Sequence, residues 1–518
     1  MNTFERLGPG PSDSPILPGD TAPEAAVGPG EADGNGDARP VVTPGPLSRA
    51  EVRTIVASLM LTMFLAALDQ TIVATALPTI GRQFRDVTTL SWIITAYLLA
   101  STAVAPLFGT LSDIYGRRSM IVTALGLFIM GSVLCALAPN MATLIVARGV
   151  QGIGGGGILP VVQTVISDVM APRERGQYQA YFSGVWTAAG IAGPVLGGVF
   201  AEHLHWSMIF WINVPLGLVS LVLLLPKMGK IPVFHRRRRV DWTGGLLLMA
   251  SAVAFMLVLT WGGSRFAWLS PEIAAVLGAS LVLATVFVRH AGKTSEPFLP
   301  LSLIGGTVVP YAIAAGALAL GAIIGITVHL PLYYQIVHHL SASESGLALI
   351  PIAAVSTGGA MLAGRTMTRT VHYKRVAVFG TAFAAIVAAI MAMVTMPLWP
   401  LLALLSLFAF GLGTIFPVSV VSLQNAVARQ QVGTVTGAMN FFRALVSSFA
   451  VAAFAAILLM ALGTDASIGN ERGGGATISA SDLTTAFRYV FAATAAMLAG
   501  AALLLMRMEE RPLAGPSA

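Results

Sequence analysis

Long apolar runs separated by short polar segments are the dominant pattern along this chain. Such runs, each about 20 residues long, recur from residue 54 onward and are long enough to cross a hydrocarbon core of about 30 Å as helices. Strands of a membrane β-barrel would be shorter and would alternate in polarity. We therefore predict an all-helical membrane protein with fourteen spans, at about 54–77, 90–111, 119–138, 143–166, 178–200, 206–226, 242–262, 271–289, 307–333, 346–364, 375–396, 398–421, 434–460 and 484–507.

Composition and charge support a membrane protein and argue against a nucleic-acid-binding one. Only 10% of the 518 residues are charged, against roughly 25% in a soluble domain, and the mean hydropathy is +0.80. The net charge is +7, but most basic residues lie in short segments between apolar runs, where orientation in the membrane explains them. We therefore expect no nucleic-acid partner.

An even number of spans places both chain termini on the same side of the membrane. The six loops on that side hold seventeen Lys and Arg residues, whereas the opposite loops hold four. Because short cytoplasmic loops carry the excess of basic residues, both termini are predicted to be cytoplasmic, in the plasma (inner) membrane. Residues 1–50 are rich in Pro, Gly and Ala, which cannot bury a core, and are predicted to form a disordered tail.

Asp69 is the acid that lies deepest in an apolar span. A carboxylate there costs roughly 2.5–3.5 kcal/mol on insertion scales, so it is a functional-site hypothesis whose partner must be found. With a rise of about 1.5 Å per residue, Asp69 lies roughly 14 Å from the end of its span at Pro78. Arg148 in the fourth span lies about 9 Å from the same side of the membrane, at a comparable depth.

Three further segments combine glycines with polar or charged residues. The loop after span two reads Gly109-Thr110-Leu111-Ser112-Asp113-Ile114-Tyr115-Gly116-Arg117-Arg118, where Asp113 can face a positive helix N-terminus. Span four contains Arg148-Gly149-Val150-Gln151-Gly152, followed by a run of four glycines that predicts close helix packing. Span five contains Gly193-Pro194-Val195-Leu196-Gly197-Gly198, which predicts a hinge or a sliding contact.

Together with Leu68-Asp69-Gln70-Thr71-Ile72-Val73, these segments resemble the motifs of the major facilitator superfamily, and specifically of its fourteen-span drug:proton antiporters of the EmrB/QacA type. The loop after span two departs from the family pattern at Ile114, where a base is usual. The resemblance covers about residues 50–508. It implies the major facilitator fold, with two six-helix halves plus a two-helix insert.

An internal repeat supports this division of the chain. Gly364-Arg365, Arg369 and Lys374-Arg375 echo the glycine-and-arginine loop after span two, and eight spans separate the two segments. A two-helix insert between six-helix halves explains that spacing, and the basic run Arg236 to Arg239 marks its start. The predicted segments are a cytoplasmic N-terminal tail (1–50), an N-terminal half (51–228), a linker and insert (229–298), a C-terminal half (299–508) and a cytoplasmic C-terminal tail (509–518). The spans at 242–289 form either two helices joined by a short turn or a re-entrant segment.

The resemblance also implies roles for individual residues. Asp69 and Arg148 are predicted to couple transport to protons, facing each other or sharing Gln151 as a bridge. The predicted cytoplasmic gating loop comprises Gly109, Asp113, Gly116, Arg117 and Arg118, and the predicted antiporter-motif hinge comprises Gly193, Pro194, Gly197 and Gly198. Candidate substrate-lining residues, for which packing or an interface position is the alternative, are Trp92, Tyr97, Gln151, Trp186, Tyr333, Tyr334 and Arg443.

The resemblance implies proton-driven export of lipophilic, often cationic, drugs or toxic compounds. A metabolite, peptide or lipid transporter on the same scaffold is the alternative, and a membrane enzyme or sensor is a remote one, since the loops hold no acid and histidine cluster at metal or acid–base spacing. We expect no cofactor, metal or catalytic residue. The expected partners are the small-molecule substrate, H⁺ and the lipid bilayer. The protein is predicted to function as a monomer, and the need for a periplasmic adaptor protein stays open.

Overall fold

The computed structural model describes residues 48–86, 88–229, 239–462 and 479–513, and within them the chain is helical, without strands. Three segments lie mostly outside the described residues. They are the predicted N-terminal tail, the basic run Arg236 to Arg239 and the loop between the last two spans, residues 463–482. In chain order, the helices are α1 (Arg49–Phe84), α2 (Ser91–Tyr115), α3 (Arg117–Ala136), α4 (Met141–Val169), α5 (Pro172–His203), α6 (Met208–Trp211), α7 (Asn213–Met228), α8 (Trp242–Trp261), α9 (Pro271–Lys293), α10 (Leu301–Ile304), α11 (Val309–Val337), α12 (Ala342–Leu347), α13 (Ile350–Arg369), α14 (Lys374–Met393), α15 (Leu398–Gly413), α16 (Ile415–Asn425), α17 (Val432–Leu462) and α18 (Ala480–Arg507).

Fourteen helical stretches among the described residues are long and apolar enough to cross a membrane. The helices α6 and α7 together form one of these stretches, as do α12 with α13 and α15 with α16, whereas α10 has only four residues. The predicted all-helical architecture with fourteen spans is therefore confirmed.

The segment predicted as either a turn or a re-entrant loop is a hairpin of two spanning helices, α8 and α9. Gly263 adopts a φ of +74° in the turn after α8, a backbone conformation that glycine adopts without strain. The two helices are joined further along by a reciprocal contact, because the Ser251 hydroxyl donates to the Ser280 carbonyl at 3.0 Å and the Ser280 hydroxyl donates back at 2.9 Å.

Asp241 fixes the other end of this hairpin. Its carboxylate accepts hydrogen bonds from the amides of Gly244 (2.8 Å) and Phe298 (3.0 Å), and it lies 2.8 Å from His290 Nε2. Burial raises the pKa of Asp241, but these hydrogen bonds outweigh burial, so the pKa of this carboxyl lies below its ordinary value. The carboxylate therefore remains charged at neutral pH and holds α8 to α9.

α1 is longer than the sequence predicts, because it continues through Pro78 to Phe84. A proline removes one backbone hydrogen bond, and spanning helices tolerate that loss where neighbouring groups satisfy the freed carbonyl. The prediction that the first span ends at Pro78 was therefore wrong, and the distance of Asp69 from that end is larger than the count from Pro78 gives.

The glycine run of α4 lets this helix pack closely between α2 and α3, as predicted. A Cβ atom at Gly154 would lie 2.6 Å from the carbonyl oxygen of Ala124 and 2.7 Å from Phe128 Cα, both on α3. On the other side of α4, a Cβ atom at Gly156 would lie 2.6 Å from Ser101 Cα on α2. A larger residue at these positions would force the helices apart.

Gly154→Val is expected to destabilise the folded protein, because the new side chain would overlap the α3 backbone. Overpacking of this kind costs about 1–3 kcal/mol and should lower the midpoint of thermal unfolding in detergent. Gly149→Val on the same helix is the matched control, since no atom lies within 4 Å of a Cβ atom there. Equal midpoints for the two variants would contradict this packing role.

Buried apolar residues form one large cluster between residues 248 and 513 and three smaller clusters between residues 55 and 224. The first and last parts of the chain meet where α2 packs against α17 and α5 packs against α13, while α8 packs against both α2 and α17. The predicted division into two six-helix halves and a two-helix insert stays a proposal. The distribution of the apolar clusters along the chain supports it.

Candidate functional site

Asp69 on α1 and Arg148 on α4 form an ion pair inside the helix bundle. Arg148 Nη1 donates to Asp69 Oδ2 at 2.7 Å, and the two residues are 1% and 0% exposed. Gln151, on the same face of α4, bridges them. Its Nε2 donates to Asp69 Oδ1 at 2.8 Å, while its Oε1 accepts from Arg148 at 2.7 Å. The structure thus brings these three sequence-predicted residues into one network.

Arg148 has partners besides the carboxylate. Its Nε donates to the carbonyl of Ile93 on α2 at 3.1 Å, and its Cζ lies 4.4 Å from the ring centroid of Tyr97 and 5.7 Å from that of Phe210. Cation–π contacts of this kind stabilise a desolvated guanidinium. If Asp69 is protonated, Arg148 therefore keeps acceptors at Ile93 and Gln151.

Two members of the network were missed by sequence reasoning. Asn213 on α7 donates through Nδ2 to Asp69 Oδ1 at 2.9 Å, and Ser132 on α3 accepts from Gln151 Nε2 at 2.8 Å. The signal in the sequence is weak but present, because each is an isolated polar residue within an apolar span. Asp69 thus accepts three hydrogen bonds, from α4 and α7.

A second network, which we call the Asp113 cluster, comprises Asp113, Arg117, Asp168, Gly433 and Thr434. Asp113 accepts from the amides of Gly433 (2.9 Å) and Thr434 (2.6 Å) and from the Thr434 hydroxyl (2.9 Å), in the first turn of α17. Arg117 pairs with Asp113 at 2.6 Å and with Asp168 at 2.8 Å. The carboxylate is therefore held by a helix N-terminus that belongs to the distant part of the chain.

The glycines of the predicted gating loop allow this approach. A Cβ atom at Gly109 would lie 2.9 Å from Gly437 Cα on α17, and Gly116, between α2 and α3, adopts a φ of +89°. Arg118 is exposed and does not join the cluster. Asp168, which the sequence analysis did not single out, supplies the second carboxylate for Arg117.

The predicted antiporter-motif residues lie on α5. Two of them, Gly193 and Gly197, contact the residues of α1 that follow Asp69 in the sequence. A Cβ atom at Gly193 would lie 2.7 Å from Thr71 Cβ, and one at Gly197 would lie 2.6 Å from the Ile72 carbonyl oxygen. The helix continues through Pro194, whereas Gly198 faces open space. The Thr71 hydroxyl also donates to the Ala189 carbonyl at 2.9 Å, so α5 packs on the segment that carries the buried carboxylate.

A cavity of about 740 Å³ lies next to the ion pair, between helices from both ends of the chain. Its wall is mostly apolar and comes from α1, α2, α4, α5, α8, α11 and α17. Gln70, the neighbour of Asp69, lies on the wall, and the Tyr97 ring lies between Arg148 and the wall residue Gly155. Tyr97 therefore contacts both Arg148 of the ion pair and a residue of the cavity wall.

Of the seven candidate lining residues, the structure places Trp186 and Arg443 on the cavity wall. The other five are not among the described residues of this wall and instead contact other side chains, so their substrate-lining role stays a prediction. Trp92 packs edge-on against Trp261 at 6.3 Å, Tyr333 packs against Phe487 at 4.7 Å, and Tyr334 is fully buried in the large apolar cluster. Tyr97 covers Arg148, and Gln151 bridges the ion pair.

Fourteen spanning helices, an ion pair buried within the bundle and an adjoining apolar cavity are the features of a membrane transporter. Residues 59–451 match the model of the Major Facilitator Superfamily. The chain belongs to this family, and it is accordingly a transporter and not an enzyme.

Curated relatives of the chain include proteins named for efflux. "Efflux pump FUS6" of Gibberella moniliformis is 36% identical over 412 residues, which cover 78% of this chain and 73% of that protein. "Multidrug resistance protein 3" of Bacillus subtilis is 30% identical and covers 79% of this chain and 80% of its own. "Multidrug transporter protein MdtP" of Bacillus subtilis is 28% identical, with coverage of 78% and 75%.

Solved structures confirm the predicted major facilitator fold. The human organic anion transporter MFSD10 (TETRAN) superimposes with a TM-score of 0.62 at 15% identity, covering 88% of this chain and 99% of that one. The proton:xylose symporter XylE, bound to 6-bromo-6-deoxy-D-glucose, gives a TM-score of 0.61 at 13% identity, covering 90% and 98%. At these identities the likeness shows the fold alone.

Proposed function

We propose that this chain is a proton-coupled exporter, an antiporter that moves lipophilic small molecules out of the cell. The observation that carries the proposal is the buried Asp69–Arg148 pair, because an ionisable group inside a spanning bundle marks an ion or substrate pathway. The apolar cavity beside the pair suits a lipophilic substrate. The direction of transport is supported by relatives named as efflux pumps and multidrug transporters.

Coupling requires Asp69 to alternate between two protonation states. Paired with Arg148 and hydrogen-bonded by Gln151 and Asn213, the carboxylate is favoured in its ionised form. Separation of the pair within a dry bundle favours the protonated form, since desolvation penalises the charge. A sliding movement of α5 over α1, at Gly193 and Gly197, would displace Asp69 from Arg148. The Asp69 carboxylate would then take up a proton.

The Asp113 cluster is proposed to be the cytoplasmic gate, with both chain termini on that side of the plasma (inner) membrane. The cavity-lining part of α17 starts at Asn440, beyond the first turn that Asp113 holds. We therefore propose that the described conformation is closed on the cytoplasmic side, with the cavity on the outer side of the gate. We propose a monomer as the working unit, because one chain contains the ion pair, the gate and the cavity.

The geometry does not favour the cationic substrate that the sequence predicts. That prediction comes from the family resemblance, yet Asp69, the acid buried in the first span, is 0% exposed and is not among the residues that line the cavity. Among the described residues that line the cavity there is no carboxylate. We therefore propose lipophilic character alone as the general substrate property.

Dye efflux from a pump-deficient bacterial host tests the proposed function. Cells that express the protein are loaded with ethidium, Nile red or 1-pyrenebutyrate, and the loss of fluorescence is followed with and without an uncoupler. We expect faster efflux of at least one dye than from cells with empty vector, and abolition of the difference by the uncoupler. Uncoupler-resistant efflux would contradict proton coupling, and faster accumulation would contradict export.

A further inference from the structure

We propose that Arg443 binds the carboxylate of the transported molecule, so that the cavity takes amphipathic organic acids. The inference deepens the proposed export function and rests on it for the direction of transport. Its starting point is the charge of the cavity wall, where Arg443 is the one charged side chain among the described lining residues. The wall thus presents a positive charge to whatever occupies the cavity.

Arg443 is buried without an acidic partner in the described part of the chain. It lies on α17 with 6% exposure, and its Nη2 donates to the Ser419 hydroxyl on α16 at 2.7 Å. Its Cζ lies 5.7 Å from the ring centroid of Phe416, while its Nε has no hydrogen-bond acceptor. A guanidinium has five N–H donors, so most of its hydrogen-bonding capacity is free for a ligand.

Arg148 and Arg443 are both buried, but their partners differ. Arg148 is neutralised by Asp69 and bonded to Gln151 and Ile93, whereas Arg443 has one neutral hydroxyl. A buried charge without a counter-charge is strongly disfavoured unless a bound group or water compensates it. An arginine that lies on a cavity wall despite the cost of burying its charge is expected to bind a ligand.

The backbone around Arg443 provides the space that the guanidinium needs. A Cβ atom at Gly316 on α11 would lie 3.0 Å from Nη2 and 3.2 Å from Nε of Arg443. Glycine at this position therefore lets the guanidinium approach α11 closely. The site is built from three helices, α11, α16 and α17, rather than from a side chain that extends freely into solvent.

The remaining wall defines the rest of the ligand. The planar guanidinium matches a carboxylate through two parallel hydrogen bonds, a geometry that a single positive point charge does not provide. Asn440, Ser447 and Ser448 lie on the wall near Arg443 on the same helix, and Trp186 and Trp268 offer aromatic faces. A molecule with one carboxylate and an apolar or aromatic body fits these groups, and a volume of about 740 Å³ is that of a drug-sized site.

Three pyrene derivatives that share one apolar body test the proposal by binding in detergent. They are 1-pyrenebutyrate (anionic), 1-pyrenebutanol (neutral) and 1-pyrenebutylamine (cationic), and energy transfer from tryptophan to pyrene reports their binding. We expect the wild-type protein to bind the carboxylate at least about tenfold more tightly than the alcohol or the amine. Arg443→Met should remove this preference while changing the affinity for the alcohol by less than about twofold, and Arg443→Lys should keep part of it.

The controls separate this site from folding and from proton coupling. Arg507→Met, which removes an exposed arginine at the end of α18, should leave all three affinities unchanged. A wild-type preference for the amine, no preference at all, or equal weakening of all three probes in Arg443→Met would overturn the proposal. Because the assay contains no ion gradient, a protein that prefers the carboxylate yet exports nothing would overturn the proposed function alone.

Discussion

Asp69→Asn is expected to abolish gradient-driven efflux while leaving substrate binding in detergent intact. Asparagine has the shape of aspartate and keeps an oxygen toward Arg148, but its side chain cannot take up a proton between pH 5 and 9. Efflux should therefore fall to the rate that wild-type cells show with an uncoupler. In proteoliposomes, an internal pH indicator should report substrate-dependent proton movement with the wild-type protein and none with the variant.

The stability of this variant must be measured beside its transport. Removing one partner of a buried ion pair costs about 3–5 kcal/mol when the other charge is left uncompensated, but Arg148 retains Ile93 and Gln151 as acceptors. Asp69→Asn/Arg148→Gln removes both charges and should recover stability without recovering coupling. Asp482→Asn, at an exposed position on α18, is the matched control for losing a carboxylate. Retained uncoupler-sensitive efflux in Asp69→Asn would refute the coupling mechanism.

The depth of a residue in the membrane follows from the sequence, but the direction in which it points does not. Counting residues from the predicted span ends placed Asp69 and Arg148 at comparable depths. The end of the first span was wrong, but the structure still brings the two side chains to 2.7 Å. Their third-helix partner, Asn213, could not be assigned in the same way, because hydropathy does not fix the rotation of α7 about its axis. Contacts between helices distant in sequence decide that rotation.

The aromatic candidates for the cavity wall were also affected by the unknown rotation of each helix about its axis. α11 is apolar on nearly all sides, so no face of it is marked in the sequence as cavity, core or lipid. Tyr333 and Tyr334 were therefore placed by residue type alone, and both lie in the core instead. Trp186 and Arg443 were chosen on the same grounds and lie on the cavity wall.

The glycine-rich loop after span two was interpretable because its chemistry is local. A carboxylate between two glycines predicted a contact with a helix N-terminus, without saying which helix. The structure supplies the first turn of α17, where Gly433 lies 320 residues from Asp113 in sequence. Such pairing between distant parts of the chain depends on the packing of α2 against α17, which no local pattern encodes.

Asp113→Asn is expected to slow efflux strongly without loss of expression, because the charge that holds the first turn of α17 disappears. The carboxylate accepts three hydrogen bonds from Gly433 and Thr434 and pairs with Arg117. Weakening these contacts by about 1–3 kcal/mol shifts the balance between gate-closed and gate-open states by roughly 5- to 150-fold. A transporter that must visit both states turns over slowly when one of them is depopulated.

Hydrogen exchange measures this gate independently of transport. The amides of Gly433 and Thr434 are bonded to Asp113, so both should exchange faster in Asp113→Asn than in the wild-type protein, in proportion to gate opening. Thr434→Val, which removes the hydroxyl bond alone, should give a smaller change in exchange and in efflux. Glu272→Gln, at an exposed carboxylate in the first turn of α9, is the matched control. Unchanged efflux in Asp113→Asn, with the amides of α17 exchanging faster, would show that this contact does not control turnover.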